Sequence, residues 1–354
     1  MQIGLIGLQN SGKTTLYNTL SGNDGSQNSS QTIVRVPDKR LDELTKLFNP
    51  KKQVNAILEV IDIPGLQVSD NGKVKITSDF LTKVKNNDLL LHIVRDFTNE
   101  SVPHPEGKVN SINDISFIDT EFLLTDLGFV ESRLEKLEKE LQKNKLDKLV
   151  REKPLFERFK EILENEKPLR DLVLDEAEEK LISGYQLLTI KPMIIGVNFS
   201  DDAKDEIDSK ITKIRENFPY HSENTIAFMA QFEYELSQLS DEDSSVFMED
   251  MGIKESALSR ILESSYKLLG LQSFFTVGED ECRAWTIKKG YTAQQSAGVI
   301  HSDFFNKFIR AEVVHYDDYM KYGSFAKCKE AGVWRLEGKE YIVKDGDILN
   351  IRHS

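Results

Sequence analysis

Cysteine is nearly absent: Cys282 and Cys328 are the only two in 354 residues. That excludes a disulfide-built scaffold and a zinc cluster of the Cys-x-x-Cys type, and it suits two reduced thiols in a reducing compartment. Long hydrophobic runs are missing too. The longest apolar stretches, 56–63 and 89–94, have the length of strands and fall short of the ~18 residues of a membrane span. The opening segment, MQIGLIGLQNSGKTTL, has no basic stretch leading into a long apolar core, so it does not read as a secretory signal. A cytoplasmic protein with no membrane partner is expected. Positive charge is in deficit, with 46 Lys+Arg against 59 Asp+Glu and a net charge of −13. Such a chain is a poor general binder of polyanions, because its summed field repels phosphate backbones. With 39% hydrophobic and 30% charged residues it is globular, and at ~150 residues per domain its length suggests two or three domains.

What is present is alternation. Residues 2–7 are a short apolar run ending in glycine, and 13–21 read as the helix that follows, the start of a βα unit. Further apolar runs at 33–36, 56–61, 89–94, 192–197 and 225–228 are separated by helical stretches, which predicts an α/β fold with a mostly parallel sheet. Asp38 is placed to cap a helix that buries Leu41, Leu44 and Leu47. The alternation breaks at 119–145, where Leu123, Leu127, Val130, Leu134, Leu137 and Leu141 form a heptad seam amid charged faces. Pro154 and Pro168 punctuate the next stretch, and 169–184 reads as the returning helix. An inserted helical coiled-coil hairpin over 119–185 is expected; the alternative is that these helices simply pack on the sheet. Its lysines and arginines at 136–160 form a stripe that either touches RNA or is a solvated face of alternating charge. From 271 onward, short strands at 274–277, 284–287, 311–314, 341–343 and 348–351 suggest a small α+β module. The expected parts are therefore 1–118 with 186–270, the hairpin 119–185, and 271–354.

Gly7-Leu8-Gln9-Asn10-Ser11-Gly12-Lys13-Thr14 fits G-x-x-x-x-G-K-[ST]. Glycines let the backbone turn its N–H groups around a polyphosphate, and the following helix points its positive end there. Lys13 supplies a point charge to the β and γ phosphates, and the Thr14 hydroxyl is a ligand for Mg²⁺. Asn10, Ser11, Gly12, Lys13, Thr14 and Thr15 are the candidate phosphate contacts. Asp62-Ile63-Pro64-Gly65 follows the strand at 56–61, placing Asp62 to serve the metal and the Gly65 N–H to serve the γ phosphate. Leu66 stands where many small GTPases carry a water-orienting Gln, and Gln67 is one residue out of place, so slow turnover is expected. Asn198-Phe199-Ser200-Asp201 occupies the place of N-K-x-D, in which the aspartate reads a guanine edge, with Phe199 replacing the Lys; alternatively it is only a helix N-cap. Ala230-Gln231 resembles the last base-contacting loop.

These residues, with DIPGL, HIVRDFTNESVPHPEGKVNS, AFMAQFEYELSQL and the C-terminal stretches LLGLQSFFTVGEDECRAWTIKKG and GSFAKCKEAGVWRLEGKEYIVKDGDILNIRHS, resemble the Obg-like ATPase (YchF) family of P-loop NTPases over nearly the whole chain. The resemblance implies a G-domain sheet, an inserted coiled-coil arm and a ubiquitin-like β-grasp (TGS) module over 271–354. It implies a protein that binds ATP in preference to GTP, hydrolyses it slowly with Mg²⁺ and associates with ribosomes. Asp201 stands where the family has Glu, which leaves GTP open as the nucleotide. The Thr that completes the Mg²⁺ site has only Ser29, Ser30 and Thr32 as candidates. In related cation-dependent NTPases an Asn at the place of Asn10 helps hold K⁺; alternatively Asn10 only shapes the loop. His104 matches a family loop near the nucleotide and is the candidate for positioning water, the alternative being a surface histidine. The rival to slow hydrolysis is a catalytically silent, nucleotide-gated module.

Overall fold

The computed structural model describes residues 1–22, 30–68, 74–105, 107–144 and 146–354. They form two compact units, one of Met1–Thr32 with Glu59–Ile261 and one of Ile33–Leu58 with Leu262–Ser354. Among the described residues no helix is long and apolar enough to cross a membrane.

The first unit is built on strands β1 (Gln2–Ile6), β2 (Gln31–Arg35), β3 (Ile57–Asp62), β4 (Leu89–Asp96), β5 (Met193–Phe199) and β6 (Thr225–Phe228). Their spatial order is β2-β3-β1-β4-β5-β6. Neighbours from β3 through β6 pair in parallel. β4 and β5 are buried on both faces, which is why LLLHIVR and MIIGVNF read as continuous runs rather than alternating ones. Parallel pairing puts the carboxyl ends of all these strands on one edge, where open α/β sheets bind ligands.

Helix α1 (Lys13–Ser21) follows β1. Helix α2 (Ser111–Lys143) starts eight residues before the expected hairpin and is capped by the Asn110 side chain on Asn113 N–H. Its first turns bury Ile115, Ile118 and Phe122 in the sheet core. Beyond that, Val130 and Leu137 pack on Phe156, Phe159 and Leu163 of helix α3 (Asp147–Glu164). One helix thus does both things the sequence offered as alternatives. The returning helix is α3, not 169–184, which holds only a turn at Leu169–Asp171 and a short helix at Glu176–Ile182. α3 runs through Pro154 because both Pro154 and Val150, whose carbonyl loses its partner, are exposed to water. Across the hairpin Arg133 holds the buried Glu152 carboxylate at 2.7 Å. Lys160 pairs with Glu131 and Glu164, and Lys153 with Glu138 and Glu157. These lysines of the stripe belong to a charge-interlaced, solvated surface.

The second unit carries β7 (Leu271–Thr276), β8 (Glu281–Lys288), β9 (Phe308–His315), β10 (Arg335–Glu337) and β11 (Asp347–His353). Their order is β10-β9-β11-β7-β8, with Lys52–Val54 added in parallel beyond β8. β7 and β11 pair in parallel at the centre, and each has an antiparallel partner outside, the arrangement of a β-grasp. Residues 341–343, expected as a strand, make only an isolated bridge from Ile342 to Thr292; the edge position belongs to β10. The helix Lys39–Phe48 is capped by Asp38 as expected, but its inward face is the buried Leu41 and Leu44 with the half-buried Phe48. Leu47 is 54% exposed because a step of six residues turns it off the stripe, whereas a step of seven returns Phe48 to it, stacked on Tyr319 at 5.5 Å. Residues 33–58, read from the sequence with the nucleotide-binding part, thus contribute a strand and a helix to this unit.

Candidate nucleotide-binding site

The loop after β1 is shaped by residues that leave ordinary backbone space. Gly7 has φ +141° and Gly12 φ +97°, and Asn10 takes the left-handed region at φ 62°. A side chain on Gly12 would begin 2.2 Å from Asn198 Nδ2. Asn198 itself ties two loops together. Its Nδ2 donates to Ser11 O at 3.0 Å, and its Oδ1 accepts the Ala230 N–H at 2.9 Å. Asn198 is therefore a buried clamp between the phosphate loop and the loop after β6.

Lys13 opens α1 with its ammonium buried and donating to Gly7 O at 3.3 Å and Leu8 O at 3.1 Å. Burial pulls its pKa down, and the Asp62 charge opposes that. Asp62 closes β3; burial pushes its carboxyl up and Lys13 holds it down. A side chain on Gly65 would begin 2.8 Å from Lys13 Nζ, so Gly65 lies directly over the ammonium. Two buried oxygens here have no hydrogen-bond partner among the described residues: Ser11 Oγ and Asp62 Oδ1. Leaving such atoms unpaired costs about 1–3 kcal/mol each, so they mark places where a bound group supplies the partner. Thr14 is exposed and Thr15 half-buried in the first turn of α1. An orphaned carboxylate oxygen and an exposed hydroxyl are hard oxygen donors, which fit Mg²⁺.

Of the candidates for a further Mg²⁺ ligand, Ser29 lies outside the described residues. Ser30 uses its carbonyl to accept the Asp62 N–H at 2.8 Å, and Thr32 is within β2. The side chains of 67–75, Gln67 included, also lie outside the described set. Leu66 is buried and apolar.

At the base end, the sequence placed Phe199 among the contacts. The structure turns it away. β5 extends two residues further than expected, so Asn198 and Phe199 are still in the strand and point to opposite faces. Phe199 is packed in the sheet core with the Lys210 ammonium 5.8 Å from its ring. Ala230 is buried and its N–H is spent on Asn198. Gln231 is exposed and donates to Glu235 at 2.8 Å. Asp201 is exposed; burial of its surroundings pushes its carboxyl up, the Glu235 charge adds to this, and Lys204 opposes.

His104 is not a surface residue. It is buried, with Nε2 3.1 Å from Asp114 Oδ2 in the first turn of α2. Its neighbour Pro103 accepts the Asn10 side-chain N–H at 3.2 Å, which brings the His104 segment against the phosphate loop. The residue that sequence reading missed is Arg95. It is 1% exposed, and its guanidinium donates to Phe97 O at 2.9 Å, Val102 O at 2.9 Å and Asn10 O at 3.4 Å. The signal was an arginine ending an otherwise apolar strand, which only a ring of carbonyls could satisfy.

A glycine-bent loop, a buried lysine at a helix start and an aspartate on the adjacent strand, all at the carboxyl edge of a parallel sheet, define a P-loop nucleotide-binding protein of the G-domain class. Residues 2–145 match the family model described as 50S ribosome-binding GTPase. Residues 271–354 match that of the YchF GTPase C-terminal domain, described as protein of unknown function (DUF933). The ribosome-binding ATPase YchF of Bacillus subtilis strain 168 is 40% identical over 362 residues, 99% of this chain and 98% of that one. Its namesake in Pasteurella multocida strain Pm70 is 38% identical over 359 residues, again 99% and 98%. The structure of the Schizosaccharomyces pombe YchF GTPase superposes with a TM-score of 0.88 at 33% identity, covering 99% of this chain and 97% of that one. The chain belongs to the YchF family, and the fold and family expected from its sequence are borne out.

Proposed function

We propose that this chain is a cytoplasmic, Mg²⁺-dependent purine-nucleotide switch that hydrolyses ATP slowly and works with the ribosome. The observation that carries the reading is the buried Lys13 ammonium directly under Gly65, with an unpartnered Ser11 Oγ in the same loop and an unpartnered Asp62 Oδ1 at the end of the adjacent strand. The relatives' name, ribosome-binding ATPase, supports both the partner and the nucleotide. GTP remains the rival base because Asp201 is a carboxylate able to accept from guanine N1 and N2. The working parts we assign are the nucleotide domain (1–118 and 186–270), the arm 119–185 and the β-grasp tail 271–354.

Thr14 and Asp62 are the residues we assign to Mg²⁺, which when bound neutralises charge on the phosphate oxygens. Lys13 exchanges its two carbonyl partners for phosphate oxygens, and the loop N–H groups with Ser11 Oγ complete the cradle. Leu66 has no polar atom to orient water. His104, fixed by Asp114 and coupled to the loop through Pro103, is the group we assign to that task. Asn10 commits its amide nitrogen to Pro103, leaving Oδ1 as the atom to offer K⁺.

Single-turnover hydrolysis of ATP and GTP, in KCl and in NaCl, tests this. Phosphate release from ATP is expected to be about tenfold faster in KCl. His104→Ala is expected to lower kcat by about tenfold or more with little change in KM. No phosphate release over hours in either salt, even with ribosomes, makes the protein a silent nucleotide-gated module. Equal rates in the two salts remove K⁺ from the mechanism.

A further inference from the structure

At the amino ends of β4 and β5, on the sheet edge opposite the phosphate loop, lies a cavity of about 540 Å³ that nucleotide hydrolysis does not use. Lys85, Arg170 and Lys191 line it, and among the described residues none of the three has a carboxylate within ion-pair distance. Lys191 Nζ donates to Asn87 O at 2.5 Å, Arg170 Nε donates to Thr189 O at 3.3 Å, and Arg170 Nη1 lies 3.5 Å from His221 Nδ1. The Asp126 carboxylate bears on both lysines but is spent on the Leu188 and Thr189 N–H groups and the Thr189 hydroxyl. Asn87, 2% exposed, lines the same cavity and has an Oδ1 with no partner. Two acids also line it. Asp88 accepts the Gln2 N–H at 2.7 Å, and Glu179 is exposed. The other wall is apolar, formed by residues such as Leu174 and Ile190.

The three half-buried cations feel Asp88, Asp119, Asp126 and Asp171 only at longer range and make no direct ion pair among the described residues, so a directly contacting anion is favoured; burial pulls the Lys191 ammonium below its ordinary range, with Asp88 and Asp126 opposing. A bare inorganic ion leaves the apolar wall unused. A phosphate joined to a flat or aliphatic body uses both the cations and that wall. The volume lies in the range of small-molecule sites. We propose that this cavity is a second ligand site, for a small phosphorylated molecule of the nucleoside monophosphate kind, separate from the phosphate loop.

The test is calorimetric titration of the full chain with AMP and with inorganic pyrophosphate. AMP is expected to bind with one-to-one stoichiometry and pyrophosphate about tenfold or more weakly. The double variant Lys85→Gln/Lys191→Gln is expected to weaken AMP by about tenfold or more while keeping the wild-type melting temperature, and Lys13→Ala to leave AMP binding unchanged. Should the double variant not fold, Leu174→Glu must show the same loss. AMP binding that vanishes in Lys13→Ala and survives in the double variant belongs to the phosphate loop and overturns the proposal. Absence of AMP binding up to about 5 mM, or equal binding of AMP and pyrophosphate, overturns it as well.

Discussion

A single methyl group at Gly12 is expected to weaken Mg·ATP binding by about 100-fold or more. Gly12 sits at φ +97°, where an L-residue is strained by about 1–2 kcal/mol. The added carbon would begin 2.2 Å from Asn198 Nδ2, so either the loop shifts or the buried bond from Asn198 to Ser11 O breaks. Losing that bond costs about 1–3 kcal/mol more; the free loop escapes both by shifting, and ATP must force it back into the cradle geometry, so a total near 3 kcal/mol is withheld from binding, about 100-fold in affinity. The same displacement reaches the base loop, because Asn198 also holds the Ala230 N–H. Gly22→Ala is the control. Gly22 also has positive φ, at 64°, but among the described residues nothing lies within 4 Å of its missing side chain. It should cost about 1 kcal/mol of stability and leave nucleotide affinity alone. Titration of both variants with a fluorescent ATP analogue makes the comparison; equal affinities for Gly12→Ala and wild type would refute the loop geometry.

His92→Leu is expected to stabilise the protein, and more so in acid. His92 lies on β4 facing the same core as Leu90 and Val94, 1% exposed, with neither ring nitrogen hydrogen-bonded among the described residues. Burial pulls its pKa to about 3; the Asp119 charge opposes this, while His221, Lys13 and Arg170 add to it. The unfolded chain takes up a proton near pH 6.5 that the folded chain refuses until about pH 3. Stability from this residue is therefore undiminished above 6.5 and falls as pH drops toward 3, by about 1.4 kcal/mol per unit. Leucine binds no proton and leaves no polar atom unpaired. The variant should gain about 1 kcal/mol at pH 7.5 and about 2 kcal/mol more at pH 5. Urea midpoints at the two pH values read this directly, and a gap between the proteins that does not widen in acid contradicts it.

The phosphate loop was legible because its chemistry is local. Eight consecutive residues carry the turn, the charge and the hydroxyl, and no distant partner is needed to recognise them. The parallel sheet was legible for a similar reason, since burial on both faces writes itself as unbroken apolar runs such as LLLHIV. What failed depended on register or on distant partners. Phe199 was assigned to the base because the strand was ended two residues early, and one step in a strand changes the face. The returning helix was misplaced because Pro154 was taken as a stop, although an exposed proline in a packed helix forfeits a hydrogen bond that water replaces. Lys52–Val54 could not be read as part of the β-grasp, because its partner Glu281–Lys288 lies more than two hundred residues away. Arg95 was overlooked because its role exists only once Asn10, Phe97 and Val102 turn their carbonyls toward one point.

The most direct measurement of the central claim is calorimetric titration of wild type and Lys13→Ala with ATP in the presence of Mg²⁺. Among the described residues the buried ammonium of Lys13 has two carbonyl partners, so its removal should leave the melting temperature nearly unchanged. Wild type should bind one equivalent, and the variant should lose about 100-fold or more in affinity. Equal affinities in the two proteins would contradict the account.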